Sequence, residues 1–262
     1  MPYANNAGAR IYWEESGSGD PVLLIMGLGY TSEMWHRVRP ALSEHYRTVV
    51  LDNRGVGRSE ASSLFFSMKD MADDAAAVLD AAGIAAAHVF GISMGGMIAQ
   101  ELALQHADRV KSLILGCTAC GGREAVSAAA GVLEVLSARA TMTPDEGVWA
   151  MAPFIYDDST PRSRVEEDLA IRIRTFPQPE SYLAQLRAIR SWGSHSRLAG
   201  ITVPTLIIQG ETDKLIPPDN GRILAEAIAG SELVMLKDAS HIFPTDKPEA
   251  SLAAILRFLK SR

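Results

Sequence analysis

Hydrophobic positions in the first half of the chain follow two periods in turn. Short apolar runs at residues 22–26, 48–52, 88–92 and 110–117 are continuous rather than alternating, as strands buried on both faces are. Between them, residues 32–43, residues 67–82 and the stretch after Ser93 carry the 3.6-residue spacing of helices. Ser67 followed by Asp70 supplies a cap for the second of these, and Gly83 a stop. Ahead of them, Tyr3-Ala4 and residues 10–14 flank a turn signal at Asn6 to Gly8 and predict a hairpin. Strand and helix in regular succession predict a mostly parallel, doubly wound sheet with helices on both faces.

From Gly121 to Ser194 that succession lapses into helical patterns at residues 123–140, 144–152, 161–175 and 179–192. Three of them start at or near a proline, which suits a first helical turn. The alternation then resumes: strand 205–209, helix 219–229, strand 232–237 and a last helix over 248–260. The pattern divides the chain into an α/β core, residues 1–120 and 195–262, and a helical insertion, residues 121–194.

Composition narrows the picture without changing it. With 47% hydrophobic and 21% charged residues in 262, the chain can bury one substantial core and is not disordered. A net charge of −6, from 25 basic and 31 acidic residues, argues against a nucleic-acid groove. No window approaches the roughly 18 apolar residues of a membrane span. The stretch Met1 to Asn6 has neither the basic start nor the apolar run of a signal peptide, so a cytoplasmic location is expected. Cys117 and Cys120 have no second pair and no nearby histidine, so they read as two free thiols rather than a metal site.

Chemistry enters at Gly91-Ile92-Ser93-Met94-Gly95, where an apolar strand runs into a helix. Glycines on both sides allow a turn tight enough to push the serine hydroxyl outward at a helix N-terminus, where free N–H groups favour a developing negative charge. The string alone is a weak signal in a chain with 21 glycines. A serine also needs a base, and the base an orienting carboxylate. Of the six histidines, His241 in Asp238-Ala239-Ser240-His241 lies just after the last strand, at the sheet edge where Ser93 emerges. Asp213 follows strand 205–209 and reaches the same edge, with Glu211 as a rival two residues earlier. Asp52 and Arg54 read as structural, in a glycine-rich loop. Met142, Trp149, Met151, Phe154, Tyr156, Tyr182 and Trp192 of the insertion read as its core rather than as substrate contacts.

Over essentially its whole length the chain resembles the α/β-hydrolase superfamily, in its branch of small hydrolases with a helical cap. The resemblance rests on Met26-Gly27-Leu28-Gly29, Asp52-Asn53-Arg54-Gly55-Val56-Gly57-Arg58-Ser59, the Ser93 turn, Gly210-Glu211-Thr212-Asp213 with Ile216-Pro217, and Ser240-His241. It implies Ser93 as nucleophile, Asp213 as acid and His241 as base, with oxyanion donors at the backbone N–H groups of Met94 and Leu28. Relatives that place the acid one strand earlier would need a carboxylate in Cys117-Thr118-Ala119-Cys120, which has none. Met26-Gly27 departs from the His-Gly frequent in the family; because the donor is a backbone group, the hole is expected to survive.

The resemblance implies a serine hydrolase acting on a small carboxylic ester or lactone through an acyl-enzyme. No metal or organic cofactor, nucleic acid or membrane is implied. A cofactor-free perhydrolase of the haloperoxidase type, a C–C bond hydrolase and a non-catalytic ligand receptor are the alternatives.

Overall fold

The computed structural model describes residues 2–262. Its eight strands form one sheet: β1 (Tyr3–Asn6), β2 (Ala9–Ser16), β3 (Pro21–Ile25), β4 (Arg47–Leu51), β5 (Ala87–Ile92), β6 (Val110–Gly116), β7 (Thr205–Gly210) and β8 (Glu232–Leu236). The order across the sheet is β1-β2-β4-β3-β5-β6-β7-β8. The β1–β2 hairpin and the β2–β4 pair are antiparallel, and every later pair is parallel. The hairpin turns at Ala7 and Gly8, both at positive φ (44° and 80°), as a two-residue turn compatible with strand twist requires.

The apolar runs have two buried faces because the sheet is covered on both sides. On β3, Leu23 and Ile25 pack into one core layer while Val22 and Leu24 pack into the other. One layer receives α2 (Met68–Ala81) and α3 (Met94–Gln105); the other receives α1 (Arg39–Ser43) and α10 (Pro248–Lys260). Helix α2 opens with the Ser67–Asp70 capping box and is followed by Gly83 at φ 67°, both as its sequence predicts.

Two expected helices differ from their pattern. Residues 32–43 form a 3-10 turn over Ser32–Arg37 and then the separate α1. Pro40 lacks the N–H that a continuous helix would donate back to residue 36, and its ring would crowd that carbonyl. The helix expected over 123–140 begins only at α4 (Ala130–Ala138). Upstream of it, Asn220 reaches across to Val126, its Oδ1 accepting the Val126 N–H at 2.9 Å and its Nδ2 donating to the Val126 carbonyl at 2.8 Å. Both backbone groups are thereby withdrawn from any helix. Gly121 and Gly122, at φ 63° and 68°, turn the chain out of β6.

The other helices between β6 and β7 are α5 (Pro144–Ile155), α6 (Arg162–Arg174) and α7 (Pro179–Arg190). Val148, Met151 and Ile155 of α5 and Leu169 of α6 form a small core of their own, which also holds Ile242. The Ile242 N–H donates to the Ile155 carbonyl at 2.9 Å, so these helices are fastened to the residue next to His241. After β7 come α8 (Asp219–Ala227) and, beyond β8, the single turn α9 (Phe243–Asp246). Among the described residues, no helix is long and apolar enough to cross a membrane.

Topology selects the functional edge. From β3 the chain moves to β4 on one side, whereas β5 lies on the other side and later strands extend from it. Such a reversal opens a crevice beyond the carboxyl ends of the two central strands. Leu28 follows β3 and Ser93 follows β5.

Candidate active site

Ser93 occupies the single residue between β5 and α3, at φ 58° and ψ −123°. A side chain is rarely held there, and such a conformation costs about 1–3 kcal/mol. Its surroundings leave no alternative. The Ser93 N–H donates to the Gly116 carbonyl at 2.9 Å, and its own carbonyl accepts from Thr118 Oγ1 at 2.7 Å. A Cβ on Gly91 would stand 2.1 Å from the Gly95 oxygen, and one on Gly95 would stand 2.0 Å from the Ile25 oxygen. The glycines are therefore required by close backbone approach.

His241 and Asp213 meet at the same edge. His241 Nδ1 lies 2.8 Å from Asp213 Oδ2, and both residues are only 3% exposed. Asp213 Oδ1 accepts the N–H groups of Leu215 (2.9 Å) and Ile216 (2.8 Å), so the carboxylate is fixed by its own loop. Gln209 Nε2 approaches Oδ2 at 3.4 Å. Glu211 is exposed, and its N–H donates to the Leu236 carbonyl at 3.1 Å, beside the β8 pairing.

Ser93 and His241 line one cavity of about 80 Å³, together with Leu28 and Met94. Among the described residues, the N–H groups of Leu28 and Met94 have no hydrogen-bond acceptor, while the neighbouring Gly29 N–H is taken by Gln185 Oε1 at 2.8 Å. Two free donors thus flank the serine. The remaining wall is chiefly apolar, from Met97, Leu136, Met151, Ile155 and Leu186, with Arg139 and Tyr30 as its polar members.

Comparison with known proteins identifies the family. The α/β hydrolase fold family model matches residues 20–144, and a serine hydrolase family model matches residues 161–252. "Putative carbamate hydrolase RutD" of Azorhizobium caulinodans is 31% identical over 98% of this chain and 98% of its own length. The chain belongs to the α/β-hydrolase family. "Putative non-heme bromoperoxidase BpoC" of Mycobacterium tuberculosis is 31% identical over 96% of this chain and 98% of its own. Among solved structures, the enol-lactonase from Burkholderia xenovorans LB400 superposes with a TM-score of 0.86 at 32% identity, covering 99% of this chain and 100% of that one.

Of the five other histidines in this α/β hydrolase, three are engaged elsewhere. His36 pairs with Asp168 (2.9 Å), His106 with Asp73 (2.7 Å), and His88 with Ser112 (2.7 Å) in a buried setting that pushes its pKa down. Met26, which replaces the frequent histidine, does not line the Ser93 cavity; it packs beside Trp35, Ile92 and Ile242. Asp52 and Arg54 are structural as expected. Asp52 accepts Ser32 N–H, Ser32 Oγ and Arg58, and Arg54 forks onto Asp74 through Nε (2.8 Å) and Nη2 (2.6 Å).

Cys117 and Cys120 are buried free thiols. Cys117 Sγ, Asp213 and His241 offer donor atoms within 4.8 Å of one another, a spacing a cation could bridge. The donor chemistry is unsuited to it. Burial pushes the Cys117 thiol well up, its sulfur is engaged with the Ser240 carbonyl and the Gly210 N–H, and both Asp213 oxygens already accept bonds. Of the aromatic and methionine residues assigned to the insertion's core, Met151 is an exception, since it also faces the cavity, and Trp149 is 41% exposed.

One supporting residue had no visible signal in the sequence. Asp246 Oδ2 accepts the N–H of Ser240, next to His241, at 2.7 Å, and Oδ1 accepts Thr160 Oγ1 at 2.6 Å. Burial, the largest influence, raises its pKa from 3.8 to about 6. The folded state therefore binds a proton more tightly than the unfolded chain does. The resulting stabilisation is complete below the unfolded pKa and is lost as pH rises through about 6. Relative to Asp246→Asn, the wild type should lose about 2 kcal/mol between pH 4 and 7, measured by urea unfolding. A difference independent of pH would show that this carboxyl titrates normally.

Proposed function

We propose that the protein cleaves small carboxylic esters or lactones, with Ser93 as nucleophile, His241 as general base and Asp213 as its orienting acid. The observation that carries this reading is the shared cavity: the strained serine, a histidine backed by a buried carboxylate, and two residues whose backbone N–H groups are unpaired line the same small apolar space. His241 Nε2 takes the proton as Ser93 Oγ attacks the carbonyl carbon. The N–H groups of Leu28 and Met94 receive the oxyanion, and each such donor is typically worth about 3 kcal/mol in the transition state. The protonated His241 then passes its proton to the leaving alkoxide, which in a lactone stays tethered to the acyl group. Water, deprotonated by His241, releases the acid. In this reading residues 121–194 form the cap and 1–120 with 195–262 the catalytic core.

A cavity of about 80 Å³ suits a short acyl group. A second, more open cavity of about 290 Å³ shares Met97, Leu136, Leu186 and Ile216 with the first and extends to Val126 and Leu133 at the surface, giving the alcohol portion a path. The names of the two relatives point to carbamates and to peroxide-dependent halogenation, both reachable with the same three residues. A panel of p-nitrophenyl acetate and butyrate, γ-lactones, phenyl carbamates, and acetate with peroxide separates them. The highest kcat/KM is expected on a short ester or lactone. A carbamate or a peroxide-dependent reaction faster by tenfold or more would overturn the substrate assignment.

A further inference from the structure

Arg139 is the anomaly of the cavity. It ends α4, is 3% exposed, and lines the same space as Ser93 and His241. Among the described residues, its Nε and Nη2 have no hydrogen-bond partner, and none that lines the cavity is acidic. The rings of Tyr30, Phe176 and Tyr182 stand 5.0–5.8 Å from its guanidinium carbon. Aromatic faces partly offset the burial of a cation, but they leave the N–H donors of Nε and Nη2 without acceptors. Tyr182 is no counter-ion: burial above all pushes its phenol up to about 12, and its hydroxyl donates to the Leu136 carbonyl at 2.7 Å.

The two orphaned nitrogens are those of one edge of the guanidinium, whose parallel N–H bonds match the two oxygens of a carboxylate. The chain uses this same edge elsewhere, where Nε and Nη2 of Arg54 grip Asp74. Arg172, the other buried arginine with free Nε and Nη2, does not line the cavity and feels the nearby charge of Asp168. Arg139 has no such carboxylate of its own. We propose that it is a specificity residue that anchors a carboxylate of the substrate, so that the ester or lactone opened at Ser93 carries a free carboxylate at its other end. This deepens the hydrolase reading above and rests on it. A single planar fork in a small apolar cavity suits a monoanionic carboxylate.

The test has two arms. Mono-p-nitrophenyl adipate and p-nitrophenyl hexanoate present similar chains with and without the charge. The wild type is expected to favour the anionic ester in kcat/KM by more than tenfold after subtraction of the uncatalysed rate, and Arg139→Met to bring the ratio to near one. A ratio unchanged in Arg139→Met overturns the proposal and leaves the hydrolase reading intact. The second arm needs neither turnover nor a folded variant. Calorimetry on the wild type should show pentanoate binding at least tenfold tighter than pentanamide, and a crystal structure with pentanoate should place its carboxylate on Nε and Nη2 of Arg139. Equal affinities, or a carboxylate seated on the Leu28 and Met94 N–H groups instead, overturn the anchor. Failure to cleave either ester, with carboxylate binding at Arg139 intact, would count against the hydrolase reading alone.

Discussion

Ser93→Ala is expected to lower kcat on a short p-nitrophenyl ester by on the order of 10⁵- to 10⁶-fold, with the fold kept. The magnitude follows from the interdependence of the three residues, because without the hydroxyl His241 has no proton to take and Asp213 no imidazolium to stabilise. The residual rate would come from the Leu28 and Met94 donors and from binding. Stability should change little. Alanine at φ 58° carries the same backbone strain as serine, and the bonds from Ser93 N–H to Gly116 and from Thr118 Oγ1 to the Ser93 carbonyl belong to the backbone. A thermal melt within a few degrees of wild type, alongside the lost turnover, separates chemistry from unfolding. Retained wild-type turnover would mean that Ser93 is only a structural turn residue.

Asp213→Asn is expected to cost roughly 10⁴-fold in kcat, through the tautomer of His241. The argument is geometric. Oδ1 accepts two backbone N–H groups at 2.9 and 2.8 Å, so the asparagine oxygen must take that position. Its NH₂ then faces Nδ1 of His241, which can only accept. The ring proton moves to Nε2, the atom that should receive the proton of Ser93. Glu211→Gln, by contrast, alters an exposed side chain and should leave kcat within a few-fold. Stopped-flow or steady-state rates on the pair decide between the two acids, and a larger loss from Glu211→Gln would reverse the assignment.

Much of the fold was legible because strand and helix periods differ and because this sheet is covered on both faces. The apolar runs that became β3 to β7 had no polar alternation to obscure them, and Ser67 and Gly83 delimited α2 by local chemistry alone. The site residues could be proposed because Ser93, Asp213 and His241 each follow a strand, and a parallel sheet brings those ends to one edge. What escaped was long-range. Nothing local in residues 123–129 reveals that Asn220 captures the Val126 backbone. No local pattern marks Asp246 as buried, because its burial under Thr160 and Ser240 depends on how the helices before β7 close over the edge. A basic residue at a helix end, as Arg139 is, is an ordinary and favourable feature. Only packing shows that three rings enclose it and that no carboxylate answers it.

The central claim, covalent catalysis by Ser93, is tested most directly by intact-protein mass spectrometry. The protein is treated with a fluorophosphonate or quenched in acid during ester turnover, and the modified peptide is then sequenced. A single adduct on Ser93, absent from Ser93→Ala, is the predicted result. A protein that turns over esters at the wild-type rate with no adduct, or with the adduct on another residue, would contradict the account.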